Sequence, residues 1–412
     1  MSTIYNIGIK LVKFSLKCIA PFNSKIKKGV LGRQETFKIL KQNISKSDKT
    51  LWFHCASLGE YEQGLPVFKA LRLHYKSHKI VLSFFSPSGY EIRENTPVAD
   101  CVVYLPIDTT YNANKFIELV KPELTVFVKY DIWPNYLNAI KTKQLRAILI
   151  SAAFRKNQSF FKPYGKLLRD SLFTFEHIFT QNKTSKDLLQ TINYTTTTIT
   201  GDTRFDRVFD QLSQNNILTV IEKFKQNKTC IVAGSTWPED ENLLTTYINK
   251  QQDKNIKFII APHNIKENQI NNLKSNLQVE TILFSEKENT PKLTNANVLI
   301  IDNIGLLTKI YNYADVAYVG GAMGNTGLHN TLEPAVFATP VIIGNNHHKF
   351  PEAQALINYG GMYSISNQIE LNTILDKLLK NEEKRIEMGN KSYEFINKNK
   401  GAVSQIIDYL RI

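Results

Sequence analysis

Two kinds of hydrophobic pattern alternate along this chain. Short apolar, β-branched runs recur at Leu51-Trp52-Phe53-His54-Cys55-Ala56 and at 79–85, 101–105, 124–128, 146–151 and 177–180, and each predicts a strand. Between several of them lie helical stretches, such as 60–76, where Leu65, Phe68, Leu71 and Leu73 recur at helical spacing. After Arg204 a polar stretch, 207–227, predicts a further helix. The rhythm then resumes, with strands predicted at 229–233, 256–261, 297–301, 315–319 and 340–343. Thr195 to Thr198 predicts a β-rich edge. Strands alternating with helices imply parallel sheets wrapped by helices, an α/β class, in two halves that divide near 205–215.

The first residues have a pattern of their own. In IYNIGIKLVKFSLKCIA, residues 4–20, Ile4, Ile7, Leu11, Phe14 and Cys18 fall on one helical face, and Lys10, Lys13 and Lys17 on another. Three charges argue against a spanning helix, and the order is not that of a signal peptide. The stretch reads either as a helix lying on a membrane surface, reinforced by Lys25, Lys27, Lys28 and Arg33, or as an amphipathic helix packed on the protein's own core.

Composition narrows the partners. At 412 residues with 42% hydrophobic and 21% charged, the chain is globular and long enough for two domains. Its 51 Lys+Arg against 37 Asp+Glu, net +14, favour an anionic partner: nucleic acid, lipid or a phosphorylated substrate. No nucleic-acid module is recognisable, and the positive charge is spread along the chain. Four scattered cysteines without a C-x-x-C pair argue against a zinc site and for a reduced compartment. His347-His348 lacks partners at ligand spacing and reads as loop.

Open parallel sheets hold ligands at the carboxyl ends of their strands, and the informative residues lie there. Glu60, in Ser57-Leu58-Gly59-Glu60, opens a helix: either a first-turn acid complementing the dipole or a general base. Asp131, in Asp131-Ile132-Trp133-Pro134-Asn135, is either an N-cap or a group orienting a base or substrate. Arg204, in Gly201 to Asp206, either braces the inter-domain junction or neutralises a departing phosphate. Thr236-Trp237-Pro238-Glu239 predicts a capping box, with Glu239, Asp240 and Glu241 suiting a first turn. His263, in Pro262-His263-Asn264, is a turn residue or a ligand contact. The stretch Gly320 to Glu333, GGAMGNTGLHNTLE, follows a strand and precedes a predicted helix, which makes it a candidate anion cradle. Glu333 caps that helix or holds a ribose.

Taken together, these stretches resemble one family over nearly the whole chain, the 3-deoxy-D-manno-octulosonic acid (Kdo) transferases of lipopolysaccharide synthesis. The family's S-x-G-E is matched at Ser57 to Glu60, its E-T-E-I-W-P-N at Lys129 to Asn135, and its T-G-x-x-K-F-D at Thr200 to Asp206. Its A-S-T-x-x-x-E is matched loosely at Gly234 to Asp240, and its F-V-G-G-S…G-G-H-N-P-L-E-P at Tyr318 to Pro334. The resemblance implies a GT-B glycosyltransferase fold: two Rossmann-like domains facing a central cleft, with an N-terminal membrane-associated amphipathic helix. The domains would be a membrane-associating segment (1–35), an acceptor domain (36–207), a CMP-Kdo-binding domain (208–395) and a C-terminal helix (396–412) able to cross back.

The implied activity is inverting transfer of Kdo from CMP-Kdo to a lipid A precursor (lipid IVA-like), with no cofactor or metal, at the cytoplasmic face of the cell inner membrane. The implied partners are CMP-Kdo, the lipid and the anionic membrane surface, with no nucleic acid. Position by position, Glu60 matches the catalytic base, and Asp131 and Arg204 match the acid and the lysine that support the transition state. The CMP contacts map to Pro262, His263, Ile304, Gly305, Leu306, Asn330, Thr331, Leu332 and Glu333. Departures are Lys129 for the first Glu of E-T-E, Asp131 for the second, Arg204 for Lys, Pro262 for Arg and Leu328 for a glycine. Two rival readings are a GT-B enzyme for another nucleotide sugar and a catalytically inactive membrane-bound GT-B scaffold.

Overall fold

A computed structural model describes residues 2–288 and 290–411. The chain divides into two compact units: Met1–Arg207 with Lys400–Ile412, and Val208–Asn399. Each is built around a seven-stranded sheet in which every strand pairing is parallel.

In the first unit the strands are β1 (Thr50–Cys55), β2 (Lys79–Phe84), β3 (Cys101–Tyr104), β4 (Pro122–Val128), β5 (Arg146–Ala152), β6 (His177–Thr180) and β7 (Thr197–Ile199). They lie in the order 3-2-1-4-5-6-7, so the winding reverses between β1 and β4. Both faces of the sheet are covered, which is why the strands read as apolar runs without alternation: Leu51, Trp52 and Phe53 are all fully buried. One face packs Trp52 on Phe116, Phe127 and Tyr136; the other stacks Phe53 on Phe68 at 4.4 Å.

In the second unit β8 (Thr229–Thr236), β9 (Ile256–Pro262), β10 (Thr281–Leu283), β11 (Val298–Ile300), β12 (Val316–Val319), β13 (Val341–Gly344) and β14 (Met362–Ile365) take the order 10-11-9-8-12-13-14. Here the reversal falls between β8 and β12.

Three helices of the first unit matter below: α1 (Ser2–Ile19), α2 (Ser24–Asn43) and α3 (Leu58–His74). α1 leaves Ile4, Ile7, Leu11 and Phe14 more than half exposed, with Phe22 beyond it at 90%. Its opposite side is fastened to the unit: Tyr5 Oη donates to Asp108 Oδ2 at 2.7 Å, and Asn135 Nδ2 donates to Asn6 Oδ1 at 2.9 Å. No helix among the described residues is long and apolar enough to cross a membrane.

Several local expectations need correction. The polar stretch 207–227 is not one helix: Thr203–Asp210 and Thr219–Lys225 are separate, broken around Asn215–Asn216, whose side chains turn to backbone and Gln211 partners. The helix after the glycine stretch is a single turn, Leu332–Ala335: Ala338 takes a left-handed φ of 55°, and Pro340 two residues later leads into β13. The edge predicted near Thr195 is β7, paired with β6.

Candidate active site

Some of the residues singled out at strand ends, Glu60, Asp131 and the glycine stretch from Gly320, fall where the winding reverses, whereas Arg204 follows the edge strand β7 and His263 follows β9. In the first unit Glu60 follows β1 and Asp131 follows β4, adjacent strands flanking the reversal. The backbone is strained at the same edge: Lys129 has φ +65° immediately after β4, and Ser151 has φ +51° at the end of β5.

Glu60 lies in the first turn of α3 and its side chain reaches back, so that the Ala56 N–H donates to Oε2 at 2.5 Å. It is a first-turn acid whose one oxygen is bound to the backbone just before the N-cap Ser57. Burial raises its carboxyl to about 7, the charge of Asp131 adds to that, and the Ala56 bond, His54 and Lys129 oppose it.

Asp131 is not an N-cap. The helix that follows, Pro134–Thr142, has Trp133 in that place, and its free N–H groups go to Asp108: Asn135 N donates to Oδ2 and Tyr136 N to Oδ1, each at 3.1 Å. Asp131 Oδ2 instead receives Trp133 Nε1–H at 2.8 Å and lies 2.7 Å from His54 Nε2. His54 is fully buried in β1, and its Nδ1 lies 2.8 Å from Ser83 Oγ. Nothing in the apolar pattern of β1 marks His54 out; the one signal is a polar residue in a strand buried on both faces.

Arg204 is held by its neighbour. Asp202 Oδ1 accepts from the Arg204 backbone N–H at 2.9 Å, and Oδ2 lies 2.8 Å from Nε and 2.7 Å from Nη2. Asp202 is also fixed by Gln63 Nε2 of α3 at 2.8 Å, and Thr203 donates to the Gln63 carbonyl. A cation in the first turn of a helix is disfavoured by the dipole, and Asp202 compensates that.

In the second unit the nucleotide-contact candidates lie at or beyond the carboxyl ends of β9, β11 and β12, three of the four strands β11-β9-β8-β12 that lie side by side. After β8 comes Trp237, whose ring stacks on His263 at 4.6 Å and 19°. His263 in turn lies 4.5 Å from His329, and Trp237 Nε1–H donates to His329 Nε2 at 3.3 Å. His329 therefore accepts at Nε2 and is neutral; burial, then His263, lowers it to about 4.

The predicted capping box is displaced by one residue. Thr236 bonds Glu241 at 2.9 Å, and Asp240 reaches back to the Trp237 N–H at 2.9 Å. Fully buried Asp240 also accepts from Gly321 N at 2.8 Å and Tyr318 Oη at 2.7 Å, so one carboxylate ties the start of Pro238–Lys250 to the glycine loop. Burial raises the Asp240 carboxyl and these three donors oppose it. Within that loop Gly320 has no room for a side chain, since a Cβ would meet Ser235 O at 2.5 Å and Thr236 Cα at 2.7 Å. Glu333 accepts from Asn330 Nδ2 at 3.1 Å. Thr331 and Leu332 are buried, which leaves their backbone for any ligand, whereas Ile304 is 85% exposed beside Gly305 at φ +96°.

Comparison with known proteins points to one family. Residues 32–207 match the family described as "3-Deoxy-D-manno-octulosonic-acid transferase (kdotransferase)". The 3-deoxy-D-manno-octulosonic acid transferase of Haemophilus influenzae is 28% identical over 88% of this chain and 86% of its own length. The chain is similar to the Kdo transferases over most of its length. The enzyme of the same name from Aquifex aeolicus is 28% identical over 86% of this chain and 92% of its own. Among solved structures, UDP-GlcNAc 2-epimerase from Neisseria meningitidis aligns with a TM-score of 0.62 at 16% identity, covering 88% of this chain and 99% of that one. At that identity the likeness shows the fold alone: this Kdo transferase relative has the GT-B fold, two parallel seven-stranded units.

Proposed function

We propose that this chain is an inverting Kdo transferase, moving Kdo from CMP-Kdo to a lipid A precursor, without a metal, at the cytoplasmic face of the cell inner membrane. Beyond the family, the observation that carries this is the state of Glu60. It is a carboxylate at the winding reversal with one oxygen occupied by Ala56 N–H, the other with no partner among the described residues, and a proton affinity near neutrality. A general base works best with a pKa close to the working pH.

In the reaction, the Glu60 carboxylate takes the proton of a primary hydroxyl on the lipid's sugar. That oxygen bonds to the anomeric carbon of Kdo, the bond from that carbon to the CMP phosphate oxygen breaks, and CMP leaves with the electron pair. Displacement from the opposite face inverts the anomeric centre. Asp131 stabilises positive charge on the sugar, and Arg204, aligned by Asp202, supplies a cation to the departing phosphate. The nucleotide lies against Pro262 and His263, the loop Ile304-Gly305-Leu306 and the segment Asn330-Thr331-Leu332-Glu333. The apolar face of α1, with Lys10, Lys13 and Lys17 beside it and the net charge of +14, suits an anionic membrane.

The test is Kdo transfer followed by mass spectrometry, with CMP-Kdo generated in the reaction and a lipid A precursor as acceptor. Wild type should add one or more Kdo units and folded Glu60→Gln none. Transfer by both would reduce Glu60 to a first-turn acid; binding of CMP without transfer by wild type would mark an inactive scaffold; and binding of UDP in preference to CMP would mark a different donor.

A further inference from the structure

A hydrogen-bonded chain runs from the core of the first unit to Asp131, and its protons can be placed. Indole is a donor only, so Trp52 Nε1–H, 2.8 Å from Ser83 Oγ, uses a lone pair of that hydroxyl. The Ser83 hydrogen then has two possible acceptors: His54 Nδ1 at 2.8 Å and the Phe53 carbonyl at 3.5 Å. The nearer is the better bond. With Nδ1 accepting, the imidazole proton sits on Nε2, which donates to Asp131 Oδ2 at 2.7 Å. Trp133 Nε1, 2.8 Å from Oδ2 and 3.1 Å from His54 Nε2, must then donate to Oδ2 as well.

Ser83, His54 and Asp131 are thus linked as in a hydrolytic triad, but Ser83 is fully buried and cannot act as a nucleophile. The chain leads outward instead. Asp131 Oδ2 is held by two donors, while Oδ1 has no hydrogen-bond partner among the described residues, on a side chain that is 19% exposed. The titratable groups around this point are Glu60 on α3, Asp131 and Lys129 after β4, and His54 itself on β1.

We propose that His54 is the positioning residue of the site: its Nε2–H, set by Ser83 and Trp52, locks one oxygen of Asp131 so that the other is presented to the sugar. This rests on the transferase reading above. The role is positional, since His54 lies beneath Asp131, fully enclosed, and has no route to substrate.

Two substitutions separate the role from mere packing. The amide nitrogen of His54→Gln reaches as far as Nε2 and keeps a donor for Asp131; that of His54→Asn reaches only as far as Nδ1 and loses it. H54N should lower kcat about 10- to 100-fold, the worth of a hydrogen bond to a charged group, with KM for both substrates within about threefold. H54Q should stay within about fivefold of wild type. In an Asp131→Asn background the H54N effect should disappear. Equal losses in H54N and H54Q, or a full H54N loss on top of D131N, would overturn the proposal.

A second measurement does not depend on turnover. Nitrogen NMR of 15N-histidine-labelled protein, with His54 assigned by its loss in H54Q, should show a bare Nδ1 and a protonated Nε2. A proton on Nδ1 would overturn the relay even if H54N failed to fold. If wild type transfers no Kdo while this spectrum holds, the transferase reading fails and the relay stands.

Discussion

Tyr5 Oη lies 2.7 Å from Asp108 Oδ2, and the same Oδ2 accepts the N–H of Asn135, four residues after Asp131. The N-terminal helix is therefore fastened to the start of the segment that follows a candidate catalytic acid. Tyr5→Phe removes the donor and leaves Asp108 its backbone partners. We expect faster hydrogen exchange across residues 2–19, with a loss of about 1–3 kcal/mol confined to the docking of α1. Unchanged exchange there would show that the apolar contacts of α1 suffice.

Glu60 gives two linked pH effects. Its carboxyl is raised from 4.5 to about 7, so kcat/KM should climb about tenfold per pH unit up to about pH 7 and then level off. The stability effect has the opposite slope. Between pH 4.5 and about 7 the folded state holds a proton that the unfolded state has lost, so stability contributed by this group falls as pH rises through that window. Glu60→Gln should therefore be more stable than wild type at pH 8, by on the order of 1–3 kcal/mol after allowance for partial exposure, and equal to it below pH 4.5. Paired thermal melts at pH 4 and pH 8 check the sign.

Gly320 and Gly324 should respond differently to alanine. At Gly320 the new Cβ meets backbone atoms of Ser235 and Thr236 and the buried Asp240 carboxylate, none of which can yield; at Gly324 it meets only the end of the Glu239 side chain. Gly320→Ala should weaken CMP binding at least tenfold and lower the melting temperature by several degrees, while Gly324→Ala stays near wild type. Calorimetric titration with CMP distinguishes the two.

The apolar stripe on α1 predicts lipid dependence. Leu11 and Phe14 are 62% and 67% exposed, and burying two such side chains is worth about 1.5–3 kcal/mol each. Leu11→Glu with Phe14→Glu should cut binding to anionic vesicles at least tenfold, and binding by wild type should weaken as salt rises. Equal binding by both proteins would leave the stripe without a lipid role.

Much of the fold was legible because sheets covered on both faces demand uninterrupted apolar runs. β1, β4, β8 and β9 declare themselves that way. β10 and β14 do not: with three and four residues at the sheet edges, they are too short for a periodic signal and depend on their neighbours. The strand-end residues could be found as types, since Glu60 and Asp131 follow recognisable strands. Their partners could not. His54 looks like one more residue of a strand, and Asp240 like one of three first-turn acids, yet Asp240 alone is buried with three donors. Such roles are set by contacts across 77 or 81 residues of chain, which local pattern does not encode.

The last described helix, Ala402–Leu410, belongs to the first unit: Ile406 and Leu410 join the core that holds Phe53, Phe68 and Phe179, and Asp206 accepts the N–H groups of Gly401 and Ala402. During synthesis this piece emerges only after Val208–Asn399 has been made. At roughly 5–20 residues per second that is a delay on the order of 10–40 s. For that interval the first unit carries an uncovered apolar face and an uncommitted Asp206, the kind of surface that chaperones shield.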